Sequence, residues 1–266
     1  MNNTIFTLQQ GSVPLLVSLP HVGTVIPAAL RLDYVSRALA TEDTDWHLDK
    51  LYDFAVAMGA SMLVPLYSRY VIDLNRPPEN KPLYANLNNT ELCPTRAFSG
   101  DALYLAGAAP DDAEIARRRD HYWQPYHDAL SAELERLRSI HGYAILFDGH
   151  SIKSELPWLF EGRLPDLNLG TVNGSSCAAS LRSALSAVLQ SQSQTTHVVD
   201  GRFKGGYITR HYGRPDLQVH AVQLEMCWHC YMPESAPFRY DATQAAHLQP
   251  LLKRFIQTMI DWKPDV

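Results

Sequence analysis

Along the chain, short apolar runs alternate with stretches in which apolar residues recur every three or four positions. The runs VPLLVSL (13–19), SMLVPL (61–66), RYVIDL (69–74), YAILF (143–147), THVVD (196–200) and VHAVQLEM (219–226) are nearly continuous in hydrophobicity. That is the pattern of strands covered on both faces. Helical patterns lie between them. In 43–59, Leu48, Leu51, Ala55 and Met58 share a face, Asp43 suits the N-cap and Gly59 the stop. Tyr126, Leu130, Leu134 and Leu137 draw a stripe along a long helix ending at Gly142, with Pro125 bending it or starting its second half. Further helices are expected at 176–190 and 242–262. The alternation predicts an α/β fold: one domain over 1–266, with a mostly parallel or mixed sheet and helices on both faces. Segments 77–110 and 201–217, rich in Pro, Gly, Asn and aromatic residues, read as long loops and as the walls of a substrate pocket.

In open α/β sheets, ligands sit beyond the carboxyl ends of the strands. After the first run comes PHVG, which places His21 there; after RYVIDL come Asn75 and Arg76; after YAILF comes DGHS, which places His150 there. In the last run Val219, Ala221, Gln223 and Glu225 share one face, so Glu225 lies on a polar patch near its end. Asp45 falls in the expected first turn of the following helix. Two neutral imidazoles and a carboxylate hold a zinc ion with a fourth position left for water, and the metal acidifies that water. A further carboxylate can move the water's proton to a leaving amine. Arg76 offers a planar fork for a substrate carboxylate. Each residue also has a structural alternative. A histidine after a strand serves turns, Asp43 and Asp45 suit a helix start, Glu225 suits an ion pair, and Arg76 could brace the loop stiffened by Pro77 and Pro78.

Composition narrows the classes. With 266 residues, 46% of them hydrophobic, the chain can bury a full core. A net charge of -5 without any Lys/Arg run argues against nucleic acid as a partner. The start has no charged region followed by an apolar one, so no secretory signal is expected. The most apolar window, FAVAMGASMLVPLY, is short and broken by Gly59 and Pro65, so no membrane span is expected. Four cysteines are too few for a disulfide scaffold, which fits a reducing cytoplasm. CWHC (227–230) offers a competing signal, because a CxxC pair can be a redox couple or half of a metal site. It has no second CxxC and no βα turn behind it, so structural cysteines are the favoured reading, and His229 shares it.

The motifs PHVG, DTDWHLDKLYDFA, YSRYVIDLNRP, LFDGHSI, FKGGYITRHYG and AVQLEM resemble, in order, those of the N-formylglutamate amidohydrolases, over about residues 13 to 260. DLNR is also similar to the aspartoacylases, relatives with a zinc-carboxypeptidase-like fold. The resemblance implies a phosphorylase/hydrolase-like α/β fold. It also implies metal-dependent hydrolysis of N-formyl-L-glutamate to L-glutamate and formate, a last step of one histidine-degradation route. His21, His150 and Asp45 would hold one divalent ion, zinc above others. The HxxE of aspartoacylases is absent because Thr24 stands at the Glu position, and Asp45 is preferred to Asp43 as the replacement. Glu225 would be the general base. Arg76 with Asn75 would bind one carboxylate of a small dicarboxylate substrate and Arg210 the other, with Arg96, Arg202 and Lys204 in reserve. Rival readings are another N-acylated acidic amino acid as substrate, a thiol oxidoreductase, and a binding protein without turnover.

Overall fold

The structure, a computed structural model, describes residues 4–81 and 88–264. Residues 82–87, inside the first expected loop, lie outside the described residues. Seven strands form one mixed sheet in the order β1-β3-β2-β4-β7-β5-β6. They are β1 (Phe6–Gln9), β2 (Leu15–Ser18), β3 (Ser61–Pro65), β4 (Ala144–Ile152), β5 (Leu167–Gly170), β6 (His197–Val199) and β7 (Val219–Cys227). β3, β2, β4 and β7 run parallel, while β1 pairs antiparallel with β3 and β5 antiparallel with β7. The α-helices are α1 (Leu48–Leu51), α2 (Asp53–Ala57), α3 (Asp112–Arg118), α4 (Gln124–His141), α5 (Ala179–Gln190), α6 (Tyr207–Tyr212) and α7 (Ala242–Asp261).

Both sheet faces are covered, as the continuous apolar runs require. One core gathers Leu15, Val17, Ile145, Phe147, Val222 and Leu224 under α5 and α7. The other gathers Leu16, Ala144, Leu146 and Ala221 under the Tyr126, Leu130, Leu134 and Leu137 stripe of α4. Pro125 sits in the first turn of α4, directly after a π-turn at Arg119–Trp123 that joins α3 to it. A residue without an N–H is tolerated there. Gly142 closes α4 in the left-handed region at φ 82°.

Several expected elements differ. RYVIDL is buried but is no strand: it turns at Ser68–Val71, and Arg69 Nη2 reaches Asp73 Oδ2 at 2.7 Å. Four extended residues would separate their Cα atoms by about 13 Å, so this buried ion pair favours a curled backbone. β1 and β5, four residues each, were not expected, being too short to register as periodic runs. The helix read from Asp43 begins instead at Leu48, with His47 left-handed before it (φ 61°). Asp43 caps nothing there and accepts from the Phe98 backbone N–H at 2.7 Å. Asp45 therefore precedes the helix rather than lying in its first turn. The second expected loop contains α6. Among the described residues no helix is long and apolar enough to cross a membrane.

Candidate active site

On the α4 face of the sheet, β2, β4 and β7 are apolar at their starts and polar at their carboxyl ends. Leu16 gives way to Ser18, Leu146 to Asp148 and His150, and Ala221 to Gln223 and Glu225. β4 runs further than its apolar pattern indicates, because its polar residues stay in the ladder with those of β7: Asp148 pairs with Gln223 and His150 with Glu225. His150 is thus inside its strand, not beyond it. His21 follows β2, and the Asp45 N–H donates to the His21 carbonyl at 3.0 Å, which ties the two segments together.

These segments converge. The His21 and His150 rings are 4.9 Å apart, and Asp45 Oδ2 lies 3.0 Å from His150 Nδ1 and 3.6 Å from His21 Nδ1. One donor atom from each of the three residues falls within 4.8 Å of the others. The outer nitrogens face carboxylates: His21 Nε2 is 2.7 Å from Asp73 Oδ1, and His150 Nε2 is 3.1 Å from Asp148 Oδ1. The Asp73 carboxylate holds the His21 ring with its Nδ1 turned inward, while His150 Nε2 also lies 2.8 Å from Asn75 Nδ2. Buried His21 Nδ1 then has no hydrogen-bond partner, an arrangement that is costly unless something accepts its lone pair.

Charge points the same way. Asp45, Asp73, Asp148 and Glu225 are buried around the imidazoles, against the guanidinium groups of Arg69 and the half-buried Arg76. Carboxyl groups thus outnumber guanidinium groups in this buried cluster. Against its burial, the neighbouring His150 and His21 imidazoles hold Asp45 well below the usual carboxylate range. Against its burial, Arg69, Arg76 and His21 do the same for Asp73. Burial would lower His150, yet Asp148 and Asp45 hold it well above its ordinary value. Glu225 goes the other way: burial pushes its carboxyl up to about 8. Gln223 Nε2 lies 3.4 Å from Glu225 Oε2. The donor set (two imidazoles and one carboxylate) fits a divalent cation, and Glu225 lies on the same cavity wall.

The comparisons with known proteins agree on the family. The N-formylglutamate amidohydrolase family model matches residues 13–232. The chain belongs to the N-formylglutamate amidohydrolase family. N-formylglutamate deformylases of Pseudomonas putida and Pseudomonas aeruginosa are each 47% identical to it over 258 residues, which is 97% of this chain and 96% and 97% of theirs. The solved N-formylglutamate amidohydrolase of Ralstonia eutropha superposes with a TM-score of 0.79 at 25% identity, covering 95% of this chain and 97% of its own. The chain is accordingly a hydrolase of linear amides.

In this amidohydrolase the cavity is lined by His21, Asp45, His150 and Glu225, and also by Asn75, Arg76 and Arg202. Arg76 is braced by Thr90, its Nε donating to the carbonyl at 3.1 Å and its Nη2 to Oγ1 at 3.0 Å. Asn75 turns its amide towards the cluster: Oδ1 accepts from the Ile208 N–H at 2.7 Å, and Nδ2 lies 3.1 Å from Asp148 Oδ2. Asn75 thus orients Asp148, besides lining the cavity. Gly206 packs on it so closely that a Cβ would come within 2.4 Å of Nδ2, so a side chain there would displace the amide. Arg210 and Arg96 are not among the described lining residues. Arg210 is exposed on α6 and its Nε donates to the Gly205 carbonyl at 2.9 Å, while Arg96 is exposed and donates to the Gly100 carbonyl at 2.9 Å. Thr24 is exposed, and Asp43 faces Phe98, which leaves Asp45 as the carboxylate between the imidazoles.

Proposed function

We propose that the protein hydrolyses N-formyl-L-glutamate to L-glutamate and formate at the His21–Asp45–His150 cluster, as the closing step of a histidine-degradation route. The observation that carries the reading is the convergence of two carboxylate-backed imidazoles and Asp45 beside the buried Glu225 carboxyl. The family membership and the names of its 47%-identical relatives support the substrate.

His21, Asp45 and His150 would hold one divalent cation, zinc by donor type. When bound, that ion supplies Lewis acidity towards the formyl oxygen and acidifies the attacking water. Arg76 and Arg202 receive the two substrate carboxylates and so bring the formyl carbon to the cluster. Arg202 takes the place expected of Arg210 because it lines the cavity. Glu225, in its ionised form, takes a proton from the water as its oxygen adds to the formyl carbon. The C–N bond then breaks, Glu225 returns the proton to the departing nitrogen, and glutamate and formate leave. Asp73 and Asp148 keep the imidazoles in one orientation throughout. The test is to supply purified protein with N-formyl-L-glutamate and, separately, N-acetyl-L-aspartate, and measure formate and acetate. Formate alone is expected, whereas acetate release without formate overturns the substrate assignment.

A further inference from the structure

CWHC takes no part in the proposed reaction, yet the fold gives it company. Cys227 ends β7 and Trp228–Cys230 form one 3-10 turn. That turn places His229 Nε2 at 2.7 Å from Asp166 Oδ1 and 3.9 Å from Cys230 Sγ. One donor atom each from Asp166, His229 and Cys230 lies within 4.8 Å of the others, and all three residues are half-buried. The far ring nitrogen is held as well: His229 Nδ1 is 3.3 Å from Glu234 Oε1. Glu234 is fixed in turn by the Ser154 N–H and hydroxyl, both at 2.9 Å. The carboxylate behind the imidazole aims Nε2 at the sulfur and the Asp166 oxygen.

We propose that Asp166, His229 and Cys230 form a second metal site for zinc or a similar borderline-soft divalent ion. Its fourth position faces the cavity between this turn and α7, which His247 and Arg254 also line. Among the described residues, this cavity shares no lining residue with the first. Sulfur, imidazole and carboxylate is a donor mixture that zinc accepts, and tetrahedral zinc sets such donors about 3.3–3.6 Å apart. The spacings of 2.7 and 3.9 Å bracket that range, so small side-chain rotations reach it. Positive charge already gathers at the same nitrogen. The Arg163 guanidinium approaches Nε2 to 3.4 Å. Arg163 is 56% exposed and can swing away when an ion enters.

A redox pair fits less well. The Cys227 thiol is fully buried and donates to the Pro165 carbonyl at 3.5 Å, whereas a reactive CxxC thiol is partly exposed. A metal ion, by contrast, deprotonates a coordinating thiol outright. Bound metal would clamp the end of β7 to the start of β5, where the Cys227 N–H already donates to the Asp166 carbonyl at 2.9 Å.

The test is cobalt(II) titration of the metal-depleted full chain, followed through the near-ultraviolet thiolate-to-cobalt charge-transfer band. No cysteine stands at the His21–Asp45–His150 cluster, so the band reports the second site whatever the outcome at the first. We expect a band that saturates at one cobalt per chain, survives Cys227→Ser and disappears in Cys230→Ser. A second variant, Asp166→Asn, keeps the shape that accepts from the Thr196 N–H at 2.8 Å and is expected to shift the titration to at least tenfold higher cobalt. Absence of the band, its persistence in Cys230→Ser, or its loss in Cys227→Ser overturns the proposal.

Discussion

The two donor clusters use similar side chains in different surroundings. His21, Asp45 and His150 are 1 to 3% exposed, the two histidines at the carboxyl ends of parallel strands, and both imidazoles have a carboxylate behind them. Asp166, His229 and Cys230 are half-buried where an antiparallel strand meets a turn, and one imidazole has one such partner. The inner cluster also has what the outer one lacks: a buried carboxyl raised to about 8 on a cavity wall that carries arginines. Donor identity alone thus separates no catalytic site from a binding site. Desolvation, a carboxylate beside each imidazole and a further buried carboxyl on the cavity wall set the inner cluster apart.

The contrast breaks most decisively at Glu225. Glu225→Gln is expected to lower kcat by about 10²- to 10⁴-fold while metal content stays that of the parent protein. Near-normal turnover in that variant removes Glu225 from the chemistry. Next, Asp148→Asn weakens the partner behind His150 and is expected to cost about 10- to 100-fold in metal affinity, read by competition with a chelator. An unchanged affinity would mean that the outer carboxylates do not tune the ligands.

The arginines sharpen the cavity side of the comparison. Losing a charge-assisted hydrogen bond costs about 1.5–3 kcal/mol, so Arg76→Ala should raise KM by about 10- to 100-fold. Arg210→Ala, outside the described cavity wall, should change KM by less than about twofold. Equal effects would return Arg210 to the pocket. The smallest effect concerns stability. In metal-free protein the raised Glu225 carboxyl favours the folded state below its ordinary value of 4.5, and that contribution is lost as pH rises through about 8. Metal-free Glu225→Gln should therefore lose less Tm than the parent between pH 5 and pH 9, and parallel Tm curves would contradict the buried, raised carboxyl.

Much of this site can be read along the chain because strand periodicity carries it. In LFDGHS and VHAVQLEM every second residue faces one way, which puts His150 and Glu225 on one surface, and register then makes them neighbours. The same alternation places Asp148 with His150, a signal present in DGHS that points to the outer partner. Asp73 and Arg69 were hidden differently. An apolar run of Tyr70, Val71 and Ile72 imitates a strand, while the ion pair four residues apart curls it. The choice between Arg202 and Arg210 depends on which way a glycine-rich loop enters α6, and no pattern of residue types encodes that. His229 and Cys230 acquire Asp166 only through the antiparallel pairing of β5 with β7, across more than sixty residues of chain.

The central claim is that His21, Asp45 and His150 hold a divalent cation. Its most direct test is zinc content per chain in Cys230→Ser protein, where the outer cluster has lost its sulfur, with and without His150→Ala. One equivalent that is lost, together with formate release, on adding His150→Ala is the predicted result. One equivalent retained in the double variant would contradict the claim.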